Sequence, residues 1–287
     1  MGGIYWLASY PKSGNTWFRS VLANYTSETD DPVTINELNT GSIASSRTWI
    51  DDLLGVDTAD MTQEEVEALR PYVYRWTVGE HPDQIGYHKI HDAYAQRADG
   101  LPLVDNIATL GAVYILRNPL DVAPSLANHH NVDIDMAISQ MSDPDYALSR
   151  SRRKLPSQVL QRLGTWSQHV ESWADARETS VHVIRYEDMQ SDPASTFASA
   201  FSFMGLPFCQ DKMAQAIRLS QFETLSAQEE SDGFRERPTK TKRFFRKGQA
   251  GDWRNTLSAE QVDRIIRAHE KVMRRFGYLD MASRPLI

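Results

Sequence analysis

The stretch Ile4-Tyr5-Trp6-Leu7-Ala8-Ser9-Tyr10-Pro11-Lys12-Ser13-Gly14-Asn15-Thr16-Trp17 decides the fold of this 287-residue chain. Its apolar start is typical of a buried strand, its middle of a tight loop, and its end of the first turn of a helix. A loop of this kind directs backbone N–H groups and a helix N-terminus at one point, where a phosphate can bind. Lys12 adds a charge, and Ser13 and Thr16 add hydroxyl donors. The chain therefore contains a candidate anion-binding loop.

This loop is similar to the Walker A motif, G-x-x-x-x-G-K-[ST], but differs from it in two places. When Gly14 is aligned with the second glycine, Ser9 replaces the first glycine and Asn15 replaces the lysine, while Lys12 lies inside the loop. ATPases and GTPases need the lysine after the glycine, where it reaches the β- and γ-phosphates beside Mg²⁺. The segment alone leaves two interpretations, an anion loop of another kind or a plain strand-to-helix turn.

The composition is that of an ordinary globular protein, with 41% hydrophobic and 24% charged residues. A net charge of −7 disfavours general nucleic-acid binding. The single cysteine, Cys209, excludes an intrachain disulfide and fits a reducing compartment. We find no signal-peptide pattern and no apolar run near the roughly 18 residues of a spanning helix. We therefore expect a cytoplasmic protein with no membrane or nucleic-acid partner.

Short apolar runs alternate with longer helical patterns, which is typical of an α/β fold with a mainly parallel central sheet flanked by helices. The predicted strands span residues 4–9, 86–90, 111–116 and 181–185. The predicted helices span residues 14–26, 121–129, 156–178, 193–204, 212–219 and 259–276. A polar helical insertion at about 32–82 and an irregular one at about 131–155 interrupt the pattern. We expect one domain, residues 1–287, with ligands at the carboxyl ends of the strands.

Two further clusters suit chemistry on an anion. Arg117-Asn118-Pro119-Leu120-Asp121-Val122-Ala123-Pro124-Ser125 follows a predicted strand, and an arginine fork with a serine hydroxyl suits a phosphate. Alone, it is equally typical of a helix-capping arginine and a solvated serine. Lys89 and His91, which strand alternation places on one face, suit charge stabilisation and general base catalysis. A histidine at a strand end is also commonly structural, and no acidic partner stands at metal-ligand spacing.

Residues 235–253 form a basic segment, with seven cations around two glycines in an acidic chain. Such a segment either closes over an anionic ligand through its backbone or is a solvated surface run.

Together these segments resemble the cytosolic-type sulfotransferases, which transfer a sulfuryl group from 3′-phosphoadenosine 5′-phosphosulfate (PAPS) to an acceptor. Residues 10–17 resemble the family's 5′-phosphosulfate loop, 117–125 its 3′-phosphate motif and 246–253 its C-terminal nucleotide clamp. Lys89 and His91 stand where the family has its catalytic lysine and histidine. The resemblance covers essentially the whole chain and implies a P-loop-like, nucleotide-kinase-like fold.

The resemblance also implies a role for individual residues. Those that would bind the 5′-phosphosulfate are Lys12, Ser13, Gly14, Asn15 and Thr16, with Trp17 near the adenine. Those that would bind the 3′-phosphate are Arg117, Ser125, Arg246, Lys247 and Gly248. Those on the adenine side would be Tyr186, Ser220 and Phe222. The catalytic set would be His91, Lys12 and Lys89, acting on a hydroxyl or amine of a small-molecule acceptor, with PAPS leaving as 3′-phosphoadenosine 5′-phosphate (PAP) and no metal required.

Three alternatives stay open at this point: a P-loop kinase that uses ATP, a non-catalytic nucleotide-binding module, and a membrane-anchored carbohydrate sulfotransferase. The acceptor is undefined, because aromatic residues in or beside the first insertion either line a pocket or form a private core; these are Trp49, Tyr72, Tyr74, Trp76 and Tyr94. The basic residues 150–154 have three interpretations: a mobile lid, a site for an anionic acceptor, or a solvated surface run. The family's dimerisation motif is altered throughout, so the oligomeric state is open.

Overall fold

A computed structural model describes residues 2–94, 101–150, 155–239 and 241–286. The basic residues 152–154 and Lys240 lie outside the described residues. The strands are β1 (Gly3–Ala8), β2 (Ile85–Ile90), β3 (Thr109–Leu116), β4 (Ala147–Leu148), β5 (Gln161–Arg162) and β6 (Val181–Arg185). The helices are α1 (Asn15–Thr26), α2 (Arg47–Leu54), α3 (Gln63–Glu80), α4 (Pro119–His130), α5 (Ile134–Met141), α6 (Trp166–Ala174), α7 (Tyr186–Ser191), α8 (Pro193–Phe203), α9 (Gln210–Leu219), α10 (Phe222–Asp232) and α11 (Ala259–Arg275).

The central sheet has the strand order β2-β1-β3-β6, with β1 parallel to both of its neighbours. Trp6, Leu7 and Ala8 of β1 are fully buried, as expected of a parallel strand covered on both faces. The chain goes from β1 to β2 on one side and then to β3 on the other. This reversal puts a topological switch point at the carboxyl end of β1, where ligands of α/β proteins commonly bind. The predicted α/β fold with a parallel sheet is confirmed.

The described residues group into two compact units. Unit 1 comprises Met1–Tyr10, Thr40–Tyr114 and Asp143–Val183, and unit 2 comprises Pro11–Asn39, Ile115–Ser142 and Ile184–Ile287. In unit 1, α3 contacts α2 and β1. In unit 2, α1 contacts α9, and α4 contacts α5 and α11. The single domain over residues 1–287 stays a prediction.

The predicted helix 156–178 is too long, since within it the structure has the helix Trp166–Ala174 alone. Leu163 and Gly164 donate backbone hydrogen bonds to the Tyr146 carbonyl beside the β4–β5 hairpin. Gly164 has φ of 64°, which a helix interior excludes, and Thr165 then forms a capping box with Gln168. The helix therefore begins only at Trp166.

The insertions contain more regular structure than expected. The segment 131–155 is not irregular throughout, since it holds α5, which begins after Asp133 accepts a hydrogen bond from the Met136 N–H. The segment 32–82 is helical as predicted and contains α2 and α3. The sequence did not predict α7 or α10. In α10 only Leu225 and Glu229 are buried, so it lacks an apolar stripe to reveal it.

Among the helices that the structure describes, none has the length and apolar character needed to cross a membrane.

Candidate functional site

The loop that follows β1 has an unusual backbone, which prepares it to bind an anion. Lys12 has φ of 70° and Gly14 has φ of 99°, both left-handed conformations. Gly14 is the N-cap of α1, so no side chain caps this helix. Ser13 is 1% exposed, and its Oγ has no hydrogen-bond partner among the described residues. A buried hydroxyl at an uncapped helix N-terminus is an arrangement that suits phosphate or sulfate oxygens.

Tyr186 packs directly against this loop. A Cβ atom on Gly14 would lie 2.5 Å from Tyr186 Cδ2, so only glycine fits there. Trp17 meets the Tyr186 ring edge-on, with centroids 5.8 Å apart, and the buried Trp17 Nε1 finds no partner within the described part of the chain. Burial raises the pKa of Tyr186, although the charge of Arg117 opposes the shift. Two aromatic rings therefore stand beside the loop, as a base-stacking site requires.

Arg117 joins three segments of unit 2. Its Nη1 donates to the Lys12 carbonyl at 3.0 Å and its Nη2 to the Gln249 carbonyl at 3.1 Å. Its guanidinium carbon lies 4.3 Å from the centroid of the Tyr186 ring. The buried Nε has no partner among the residues described. Arg117 thus keeps a charged donor available for a ligand while it fixes the loop.

Ser125 lies in the second turn of α4 and is 9% exposed. In the first turn of the same helix, Asp121 accepts hydrogen bonds from the N–H groups of Gly251 (2.7 Å) and Trp253 (3.0 Å). Asp121 therefore fixes loop geometry. It attaches the C-terminal basic segment to the helix that carries Ser125.

The basic segment presents two cations that share one carboxylate. Arg246 Nη2 lies 2.6 Å from Asp252 Oδ2, and Lys247 Nζ lies 2.5 Å from Asp252 Oδ1. Burial alone would raise the pKa of Asp252, but hydrogen bonds from Lys247 and Arg246 outweigh it and hold that pKa below its usual value. The two cations are therefore gathered at one point, as a phosphate would need.

Gly248 and Phe222 are in direct contact. Gly248 has φ of 63°, and a Cβ atom there would overlap the Phe222 ring. Gln190 holds the adjoining turn, because its Nε2 donates to the Gly248 carbonyl and its Oε1 accepts from the Ala250 N–H at 2.8 Å. Ser220 is fully buried, and its Oγ accepts a hydrogen bond from Asn24 Nδ2 at 3.0 Å.

Glu229 holds the middle of the basic segment. Its carboxylate accepts from the N–H groups of Phe244 (2.7 Å) and Phe245 (2.9 Å), and Arg237 Nη1 lies 3.3 Å away. Lys12 Nζ in turn lies 3.5 Å from the centroid of the Phe244 ring, a cation–π contact. Glu229 thus positions the ring that contacts the lysine of the loop.

His91 belongs to unit 1 and lies one residue beyond β2, so strand alternation does not determine where it points. Its Nδ1 lies 2.8 Å from the Ser9 carbonyl and 3.4 Å from Ser9 Oγ. Because a carbonyl only accepts, Nδ1 carries the proton, and the lone pair of the neutral ring is therefore on Nε2. Lys89 lies within β2, opposite Leu7 of β1, and is half-buried.

The aromatic residues of the first insertion divide into two groups. Tyr74 is buried and meets the rings of Trp6 at 4.8 Å and Trp49 at 5.5 Å, so these residues form a core. Tyr72 and Trp76 are more than half exposed.

The site residues predicted from sequence therefore lie in both units. Unit 2 brings together the loop, Arg117, Tyr186 and the basic segment, and unit 1 contains Lys89 and His91. Sequence reasoning missed the supporting residues Gln190, Glu229 and Asp252. Only Asp252 had a local signal, since it lies inside the motif 246–253. Within the described ranges, no group of three or more His, Cys, Asp or Glu side chains is arranged to hold a metal.

Residues 4–277 match the profile of a family described as the sulfotransferase domain. The chain belongs to the sulfotransferase family. Sulfotransferase 2B1 of Homo sapiens is 24% identical over 273 residues, which are 93% of this chain and 65% of that protein, so the match spans about two thirds of its length. Cytosolic sulfotransferase 17 of Arabidopsis thaliana is 24% identical over 97% of this chain and 77% of its own.

Solved structures show the same fold. A mouse sulfotransferase complexed with PAP matches with a TM-score of 0.60 and 20% identity, over 95% of this sulfotransferase chain and 85% of its own. A retinol dehydratase in a complex with retinol and PAP matches with a TM-score of 0.61 and 18% identity, over 94% of this chain and 81% of its own. At these identities the likeness concerns the fold.

Proposed function

We propose that this sulfotransferase moves a sulfuryl group from PAPS to a hydroxyl or amine of a small-molecule acceptor and releases PAP. One observation carries the proposal. Ser13 Oγ, Trp17 Nε1 and Arg117 Nε are buried donors that have no partner in the described chain, and all three lie around Tyr186 or in the adjoining loop. Buried donors are rarely left unpaired in native proteins, so these three suit an anionic nucleotide.

The proposed nucleotide contacts follow from the charges of unit 2. The 5′-phosphosulfate binds at the N-terminus of α1, where the contacting residues are Lys12, Ser13, Gly14, Asn15 and Thr16. The 3′-phosphate binds Arg117 and Ser125 together with Arg246, Lys247 and Gly248, and displaces the Asp252 carboxylate from the two cations. The adenine lies against Trp17, Tyr186 and Phe222. Ser220, which is fully buried and hydrogen-bonded to Asn24, is the hydroxyl of the adenine side.

The transfer itself is an in-line displacement. The acceptor oxygen forms a bond to sulfur, its proton goes to His91 Nε2, and the bond between sulfur and the bridging oxygen breaks with its electron pair left on PAP. The contact of Nδ1 with the Ser9 carbonyl supports this role because it selects the tautomer with a basic Nε2. Lys12 stabilises the charge that grows on the leaving phosphate, and Lys89 stabilises the sulfuryl oxygens. These cations perform the charge neutralisation for which kinases use Mg²⁺.

The setting of the enzyme is part of the proposal. The single exposed cysteine, Cys209, and the relatives named cytosolic sulfotransferases support action in the cytoplasm. The partners are then the nucleotide and the acceptor, and the oligomeric state is left open.

The test is transfer of radiolabelled sulfuryl from PAPS to a panel of phenols, alcohols and amines, with the labelled γ-phosphoryl of ATP plus Mg²⁺ as a parallel arm. We expect PAPS-dependent transfer to at least one acceptor and none from ATP. The His91→Ala variant should lose a factor on the order of 10²–10⁴ in turnover while it keeps its PAP affinity. Transfer from ATP, or no transfer from PAPS with any acceptor, contradicts the proposal. Near-normal turnover in His91→Ala removes the histidine from it.

A further inference from the structure

The main chain that carries His91 is held by the side chains of one helix. His169 Nε2 lies 2.9 Å from the His91 carbonyl, and Trp173 Nε1 donates to the Asp92 carbonyl at 3.0 Å. The Tyr94 N–H donates to Ser172 Oγ at 3.0 Å. All of these residues belong to unit 1. Three of the four residues 91–94 are thus bound to α6.

The spacing of these side chains explains how a single helix contacts the whole segment. Residues 169, 172 and 173 stand at i, i+3 and i+4, so they share one face of α6. His169 and Trp173 are fully buried, and Ser172 Oγ is itself oriented by a bond to the His169 carbonyl at 2.8 Å. The face therefore presents two fixed donors and one fixed acceptor to residues 91–94.

The protonation of His169 is set by its two neighbours. The His91 carbonyl only accepts, so His169 Nε2 carries the proton, and Nδ1 then accepts from the Tyr114 hydroxyl at 2.9 Å. Burial lowers the pKa of His169 to about 4, although its bond to His91 opposes the shift. The ring is therefore neutral near pH 7, and its donor points at the His91 carbonyl.

A buried ion pair holds the same segment from α3. Arg70 donates to both carboxylate oxygens of Asp92 at 2.8 Å, and the two side chains are 1% and 3% exposed. Arg70 Nε also donates to the Tyr74 hydroxyl at 2.9 Å, and that hydroxyl donates to the Ala44 carbonyl at 2.9 Å. A bidentate pair of this kind fixes direction as well as distance.

We propose that His169 and Trp173 of α6, together with the Arg70–Asp92 pair, are positioning residues that fix the His91 backbone so that its ring keeps the bond to Ser9 and Nε2 faces the acceptor. The inference rests on the proposed role of His91 as the base. On this inference α6 has a function besides packing, because it holds the imidazole of His91 at a fixed position. A misplacement of about 1 Å at such a group can cost on the order of 10² in rate.

The first test compares three histidine variants by kcat, KM and PAP affinity. His169→Leu removes the donor, His169→Gln keeps an N–H donor at the place of Nε2, and His269→Leu is a matched control. His269 is 2% exposed and its pKa is also lowered to about 4 by burial, but it lies in α11 and in unit 2.

We expect kcat to fall about 100-fold in His169→Leu while the PAP affinity is unchanged. In His169→Gln kcat should stay within a few-fold of the wild-type value, and in His269→Leu it should equal the wild-type value. Equal losses in both leucine variants, or no rescue by glutamine, overturn the inference.

A milder variant and a second readout keep the inference testable if His169→Leu does not fold. Trp173→Phe removes only the indole donor to the Asp92 carbonyl, and we expect a loss in kcat on the order of tenfold. Hydrogen exchange should speed up at the Ala93 and Tyr94 amides in Trp173→Phe and not in His269→Leu. Unchanged exchange at these amides refutes the positioning role. This readout needs no substrate, so it tests how α6 holds residues 91–94 separately from the proposed function. If the wild-type protein transfers nothing from PAPS while exchange at these amides still speeds up in Trp173→Phe, the proposed function fails and the structural part of the inference stands.

Discussion

At the scale of single residues, Gly14 shows most directly why the loop has its sequence. Its φ of 99° is a conformation that L side chains rarely adopt, and the Tyr186 ring occupies the space of a Cβ atom. A side chain at this position would therefore strain the backbone and overlap the ring at the point where the loop joins α1. The glycine therefore allows Tyr186 to reach the proposed nucleotide site.

Gly14→Ala should weaken PAP binding by at least about tenfold and destabilise the fold by roughly 1–3 kcal/mol, because the ring must move and the backbone is strained. Isothermal titration and urea denaturation measure the two effects. The matched control is Gly205→Ala, where φ is 73° but nothing lies within 4 Å of the new Cβ. That control should show a stability loss of about 1 kcal/mol and normal PAP affinity. Equal PAP affinity in both variants would refute the packing argument.

Many residues of the proposed site could be named from the sequence because their chemistry lies in short motifs. Lys12, Ser13 and Gly14 are adjacent, and Arg246, Lys247 and Gly248 are too. Gln190 and Glu229 could not be predicted, since the main-chain groups that they bind lie 15 to 60 positions away and no local pattern links them. The bond between His91 and Ser9, 82 residues apart, required the register of β1 and β2.

At the scale of elements, the basic segment depends on α10 for its position. Glu229 is 4% exposed and receives two backbone N–H groups from the residues just before Arg246. Hydrogen bonds to a charged group contribute roughly 1.5–3 kcal/mol each, so this carboxylate is a strong anchor. Without this carboxylate, the backbone just before Arg246 loses two hydrogen bonds, and the cations proposed to bind the 3′-phosphate are no longer held in position.

Glu229→Ala should reduce PAP affinity by about tenfold or more through loss of this anchor. The control is Glu230→Ala, one residue along the same helix, whose side chain is 73% exposed and pairs loosely with Arg243 at 3.7 Å. Titration with PAP compares the two, and thermal unfolding reports whether each variant folds. If Glu229→Ala binds PAP as tightly as Glu230→Ala, the anchor has no role in binding.

The prediction of helices and strands succeeded where the apolar pattern of the sequence was clear. It failed where tertiary contacts determined the local structure. The four sheet strands were placed to within two residues because apolar runs mark them. The helix predicted at 156–178 failed because Gly164 and the β4–β5 hairpin take up its first half. α10 could not be predicted, since one of its two buried residues is the charged Glu229.

At the scale of the whole molecule, buried histidines couple stability to pH. Burial lowers the pKa of His169 and of His269 to about 4, against 6.5 when unfolded. Between these values the unfolded chain binds more protons than the folded one, so stability is complete above pH 6.5 and declines as the pH falls toward 4. Burial lowers the pKa of His88, His130 and His182 as well, which adds to the decline in the same direction.

The free energy of unfolding should be lower at pH 5.5 than at pH 7.5, with about 1.4 kcal/mol lost for each fully buried histidine. Urea denaturation at the two pH values measures the difference. His269→Leu removes one titrating group, so its loss between the two pH values should be smaller by about that amount. Equal stability of the wild-type protein at both pH values would contradict the burial of neutral imidazoles.

The central claim is that unit 2 binds a nucleotide that carries charge at both its 3′ and its 5′ position. The most direct test is isothermal titration of the purified protein with PAP and, separately, with adenosine 5′-phosphate, which lacks the 3′-phosphate. We predict that PAP binds at least about 100-fold more tightly, since two or more charge-assisted hydrogen bonds to Arg117, Arg246 and Lys247 are lost without that phosphate. Equal affinity for the two nucleotides, or no measurable binding of PAP, would contradict the account.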